Sequence, residues 1–119
     1  MKKICINNRD ELVMLHVNKI AYLLADGNYT KIVYISGTPI TLSLGISKVQ
    51  DILLTSYKEQ EVCPFVRLVR SLIVNQMYLY NINVLQHRLQ LSDAIHPVLT
   101  LSVPRQLLKN YKEQIVKSM

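Results

Sequence analysis

The residues able to do chemistry are few and scattered. Three histidines, His16, His87 and His96, share no HxxxH or HExxH spacing, so they do not form a helical metal site. They read as surface or hydrogen-bonded structural side chains. Asp10 and Glu11 stand together in a turn segment and read as solvated carboxylates rather than an acid–base pair. Gly27, Gly37 and Gly45 do not build a phosphate-cradling loop, and no serine lies in a GxSxG context. Cys5 and Cys63 are far apart, form no CxxC pair, and read as two free thiols in a reducing compartment. The expectation is a protein that is not an enzyme and needs no cofactor, metal or small-molecule substrate.

What the chain has instead is positive charge. The net charge is +6 over 119 residues. Before Val62, seven Lys/Arg face six Asp/Glu; from Val62 onward, seven Lys/Arg face only Asp93 and Glu113. A basic half points either to a polyanionic partner or to a solvated surface that aids solubility.

The elements that must position these residues are mostly strands. Apolar alternation with period two marks Ile4–Ile6, Leu12–Val17, Ile20–Ala25, Tyr29–Ile35 and Ile40–Leu44. Turn signals at Asp26-Gly27-Asn28 and Ser36-Gly37-Thr38-Pro39 separate them. Ile46, Val49, Ile52 and Leu53 then share a helical face, placing a short helix at about Ile46–Leu54, with nearby serines available to cap it. Thr55–Pro64 reads as a loop. Phe65–Val74, Tyr78–Leu85, Arg88–Leu91 and Val98–Val103 return to strand composition, the last two separated by a turn at Asp93–Pro97. Pro104 opens a final helix with an apolar stripe of Leu107, Leu108, Tyr111 and Ile115. No linker, repeat, signal peptide or apolar run of membrane-spanning length is visible. Residues 1–119 read as a single, mainly β domain in the cytoplasm.

Three segments carry a resemblance. Ile20-Ala21-Tyr22-Leu23-Leu24-Ala25-Asp26-Gly27-Asn28-Tyr29-Thr30-Lys31-Ile32 is the first. Phe65-Val66-Arg67-Leu68-Val69-Arg70-Ser71-Leu72-Ile73-Val74-Asn75 is the second and most specific. Leu101-Ser102-Val103-Pro104-Arg105-Gln106-Leu107-Leu108-Lys109 is the third. In order and spacing they resemble the LytTR family of bacterial DNA-binding domains, across roughly Leu12–Ile115. The resemblance implies about ten short antiparallel strands in small packed sheets, with a mid-chain and a C-terminal helix. It implies a free-standing transcription regulator, without a response-regulator receiver domain. Loops, rather than an inserted helix, would enter the major groove of double-stranded DNA, with a homodimer on paired half-sites as one arrangement.

Carried over residue by residue, the family's DNA-facing positions fall on Asn28, Tyr29, Thr30, Lys31, Arg67, Arg70, Ser71, Arg105 and Lys109. Arg70 or Arg105 could hold guanine O6 and N7 in a bidentate grip, and Lys31 and Lys109 suit phosphates. In one regular strand Arg67 and Arg70 would point to opposite faces, so both reach DNA only if the segment bends. Arg67 therefore reads equally as a structural hydrogen-bonding residue. Tyr29 reads first as a core residue with its hydroxyl at the rim, and Asn75 as a turn cap. Three positions depart from the family pattern: Leu24 replaces its Glu, Val69 its His, and Pro104 its Ser. The competing reading is a protein-interaction module that has left DNA behind and regulates another transcription factor.

Overall fold

The computed structural model describes residues 2–119. Among these residues ten strands and two α-helices follow one another. The central layer is an antiparallel sheet built from β3 (Ile20–Asp26), β4 (Tyr29–Tyr34), β5 (Pro39–Leu42), β6 (Phe65–Val69) and β7 (Leu72–Asn75). Its strand order is β5-β4-β3-β7-β6. Pro39 sits on an edge strand, where its missing N–H leaves no ladder bond unmade.

Period-two side chains give this sheet two apolar faces. Leu23, Ile32, Phe65 and Ile73 look towards α1 (Ile46–Thr55) and a separate hairpin of β1 (Lys3–Asn7) and β2 (Leu12–His16). Ala21, Leu72 and Val74 pack on the other side with α2 (Arg105–Lys117) and a three-stranded sheet. That sheet contains β8 (Leu79–Asn83), β9 (Arg88–Leu91) and β10 (Leu99–Ser102), with β9 in the middle. Leu89, Leu91, Val103, Leu108 and Tyr111 close this second core. Both helices are held by their apolar stripes: Ile46, Val49 and Leu53 on α1, Leu108 and Tyr111 on α2. The mainly β architecture and both helices agree with the expectation from sequence.

Three local features differ. The stretch Phe65–Val74 is not one strand but a hairpin, turning at Arg70-Ser71. A bulge between Arg67 and Val69 precedes the turn and raises the local twist. Secondly, Gly45 is the N-terminal cap of α1 and makes no side-chain capping bond, so the serines beside it do not play that part. Thirdly, 3-10 turns at Val17–Lys19 and Gln76–Tyr78 join strands where the sequence signalled only breaks.

Candidate nucleic-acid interface

Antiparallel register brings two hairpin turns to one end of the central sheet. β3 and β4 meet at Gly27-Asn28, with Asp26 opposite Tyr29. Gly27 has φ +61°, the left-handed region that glycine occupies without a Cβ clash. β7 pairs with β3 through Leu24↔Leu72, so the Arg70-Ser71 turn lies beside the first turn. The Ala25 N–H donates to the Ser71 carbonyl at 2.9 Å and fixes the two together. Asn28, Tyr29, Lys31, Arg70 and Ser71 are all exposed at or near this end. Asp26 is exposed there too.

Arg67 is what holds the second turn in place. Its Nη1 donates to Gln50 Oε1 at 2.8 Å and to Ser47 Oγ at 3.1 Å, both on α1. Its Nη2 donates to the Arg70 carbonyl, inside the turn itself. A planar guanidinium can serve acceptors in several directions at once, which an ammonium on a flexible stem does less well. Both terminal nitrogens of Arg67 are thus spent on protein acceptors, which agrees with the structural hydrogen-bonding alternative for this residue. The oddly spaced pair resolves itself: the bulge and turn free Arg70 while Arg67 stays under the sheet beside Ile73.

Thr30 also changes role. It is fully buried, and its hydroxyl donates to the Leu44 carbonyl at 2.7 Å, tying β4 to the segment that enters α1. Thr30 is therefore a structural anchor and not a DNA-facing residue. Tyr29 moves the opposite way: at 51% exposure it is a surface side chain rather than core. Asn75 is buried and makes two bonds. Its Oδ1 accepts from the Met77 N–H at 3.0 Å, and its Nδ2 donates to the Ile20 carbonyl at 2.8 Å. It caps a turn and also locks β7 to the start of β3.

Arg105 and Lys109 lie on α2, on other elements than the two turns. They are four residues apart, and Lys112 follows three later, so the three cations project from one side of the helix. All three are exposed and line an open groove with Val84, Gln106 and Glu113. Among the described residues, none of the three takes part in an ion pair. No hydrogen bond among the described residues connects this row to Arg70 or Asn28.

No protein-family model and no curated protein matches the sequence. Among solved structures, the chain is similar to the LytTr DNA-binding domain of a Bacillus cereus protein described as a methyl-accepting/DNA response regulator. The match covers 97% of both chains with a TM-score of 0.59, at 16% sequence identity. The fold is that of a LytTR domain. The LytTR fold therefore survives Leu24, Val69 and Pro104, none of which disturbs an element. Leu24 packs in the second core, Val69 closes the β6–β7 hairpin opposite Leu72, and Pro104 stands at the start of α2. Among the described residues, no group of three His, Cys, Asp or Glu could hold a metal ion. No helix among them is long and apolar enough to cross a membrane.

Proposed function

We propose that residues 1–119 form one domain that binds double-stranded DNA in a sequence-specific way and serves as a transcription regulator in the bacterial cytoplasm. The observation that carries this reading is the paired hairpin end. There Arg70, freed by a bulge and pinned by Arg67, stands beside an exposed Asn28, Tyr29 and Lys31. Two rigid turns side by side present side chains in a fixed geometry, which is what base readout requires. The chain acts by binding, not by catalysis. Arg70 contacts a base edge, Ser71 and Asn28 offer short hydrogen bonds, and Lys31 neutralises phosphate. Arg105 and Lys109 hold the duplex backbone from α2. Two copies on paired half-sites enlarge the limited DNA surface that one small module covers. The likeness to a LytTr DNA-binding domain and the net charge of +6 support the same reading.

The test is selection from random duplex DNA with the wild type beside an Arg70→Ala, Arg105→Ala variant. Enrichment of one motif by the wild type alone is the expected result. Equal, weak and motif-free binding by both proteins would replace this reading with that of a protein-interaction module.

A further inference from the structure

The opposite end of the β3–β4 hairpin holds a cavity of roughly 230 Å³, lined by His16, Lys19, Tyr34, Ile35, Ser36 and His96. It is smaller than the ~300–1,000 Å³ of pockets that take drug-sized ligands, so its occupant is small. Five of its six residues bring a group that can donate a hydrogen bond, and no carboxylate lines it. From this cavity we infer a binding site for a small phosphate-class oxyanion, inorganic phosphate or a small phosphomonoester.

Each donor is unspent or easily redirected. Lys19 follows β2 in a 3-10 turn and, among the described residues, forms no ion pair. The Tyr34 hydroxyl accepts from the His16 backbone N–H at 3.2 Å, which leaves its own proton to give. Ser36 donates only to the exposed Thr38 hydroxyl at 3.2 Å and can turn inward. His16 Nδ1 is buried with no partner among the described residues. A buried N–H without an acceptor is rarer than a buried lone pair without a donor, so Nε2 is the ring nitrogen left to donate. His96 is oriented from behind: its Nδ1 meets Asp93 Oδ2 at 2.7 Å. That carboxylate also accepts the backbone N–H groups of Ile95 and His96, at 2.9 and 2.8 Å through Oδ1. These bonds hold the Asp93 carboxyl well below the usual range, so it stays charged and engaged with its own loop. With Nδ1 occupied by Asp93, Nε2 is the ring nitrogen left for a ligand in the cavity. The wall formed by Ile35 and the Tyr34 ring lowers the local dielectric and strengthens these charge contacts.

The position gives such a ligand a consequence. His16 ends β2, Lys19 lies in the turn that leads into β3, and Tyr34 ends β4 with Ser36 just beyond it, whereas His96 belongs to the loop between β9 and β10. An anion bridging them ties the second layer to the first. β3 is seven residues long, so the site lies ~20 Å from the Gly27-Asn28 turn and leaves it free.

The experiment is an amide NMR titration of the full chain with inorganic phosphate at constant ionic strength, repeated with glycerol phosphate and with acetate. Saturable shifts at Lys19, Ser36 and His96 are expected, stronger with either phosphate compound than with acetate. The tighter of the two phosphate compounds identifies the source of the ligand. Lys19→Ala with His96→Ala, both exposed positions, should weaken saturation by at least about tenfold, ~1.4 kcal/mol. Non-saturating shifts, acetate equal to phosphate, or an unchanged double variant would each overturn the inference. Release of bound phosphate by a short duplex at these same amides would also overturn it, because the cavity would then be part of the DNA footprint. Loss of DNA selection in the Arg70 variant has no bearing on this titration, so the two readings fail separately.

Discussion

The two basic regions of the molecule are built on opposite plans. At the hairpin end a single free guanidinium, Arg70, stands on a turn that is clamped from below by Arg67 and from the side by the Ala25 N–H. On α2 the row of Arg105, Lys109 and Lys112 is regular, exposed and held by nothing beyond the helix. A clamped turn limits where one cation can go, and so favours recognition of one base edge. A row of mobile cations attracts any phosphate within reach and carries little sequence information. Placement, more than the amount of charge, separates the two.

That contrast can be broken at the clamp first. Arg67→Ala should lower unfolding stability by about 2 kcal/mol, since several charge-assisted hydrogen bonds are lost at a half-buried site. It should also blur the enriched motif by loosening the turn that carries Arg70; urea melts and selection on the same variant check both halves. If selectivity stayed sharp, the turn would not depend on the clamp. Arg70→Ala should leave the melt unchanged and cost ~1–3 kcal/mol on the preferred site, but far less on unrelated DNA. Competition binding against random duplex measures the difference. Thr30→Val should do the reverse, removing about 1 kcal/mol of stability with motif preference intact, because its hydroxyl serves the Leu44 carbonyl. Lys109→Ala has the smallest effect: a few-fold loss on every sequence alike and a salt slope shallower by about 1.

Alkali sharpens the comparison from the α2 side. Burial pushes the Tyr111 hydroxyl up to about 12 from an ordinary 10.0. A raised folded-state value means that its contribution is complete below about pH 10 and is lost as pH climbs towards 12. Melts across that window should show the wild type losing more stability than Tyr111→Phe, which has no proton to release.

Most of the architecture was legible because the period of the apolar residues is local information. Alternation marked the strands, and the change of period at Ile46–Leu53 marked α1. Gly27 and Gly37 marked turns that need positive φ. The Arg70-Ser71 turn was hidden for the same reason. Arg70 is no turn former, Ser71 is a weak one with no glycine or proline beside it, and Leu68-Val69 and Leu72-Ile73 carry apolar composition through on both sides. Only the length of the run, ten residues from Phe65 to Val74 in a chain of short strands, hinted at a fold-back. The site residues were less legible. Thr30 and Tyr29 exchanged burial, since which face of a strand is covered depends on the layers packed against it. The partners of Arg67, Ser47 and Gln50, lie about twenty residues away on a helix and left no local signal. The cavity of His16, Lys19, Tyr34 and His96 is likewise a product of layer packing, assembled from three distant stretches.

The guanidinium under the hairpin also bears on inheritance. A lysine at position 67 could not reach Ser47, Gln50 and the Arg70 carbonyl together, so the ordinary basic exchange is closed to it. Drift at that position therefore drags α1 with it. Among descendants of this sequence, positions 47, 50 and 67 are expected to change in concert while position 70 varies independently of them. The lineage can then retarget one arginine freely only for as long as the other three residues stand still.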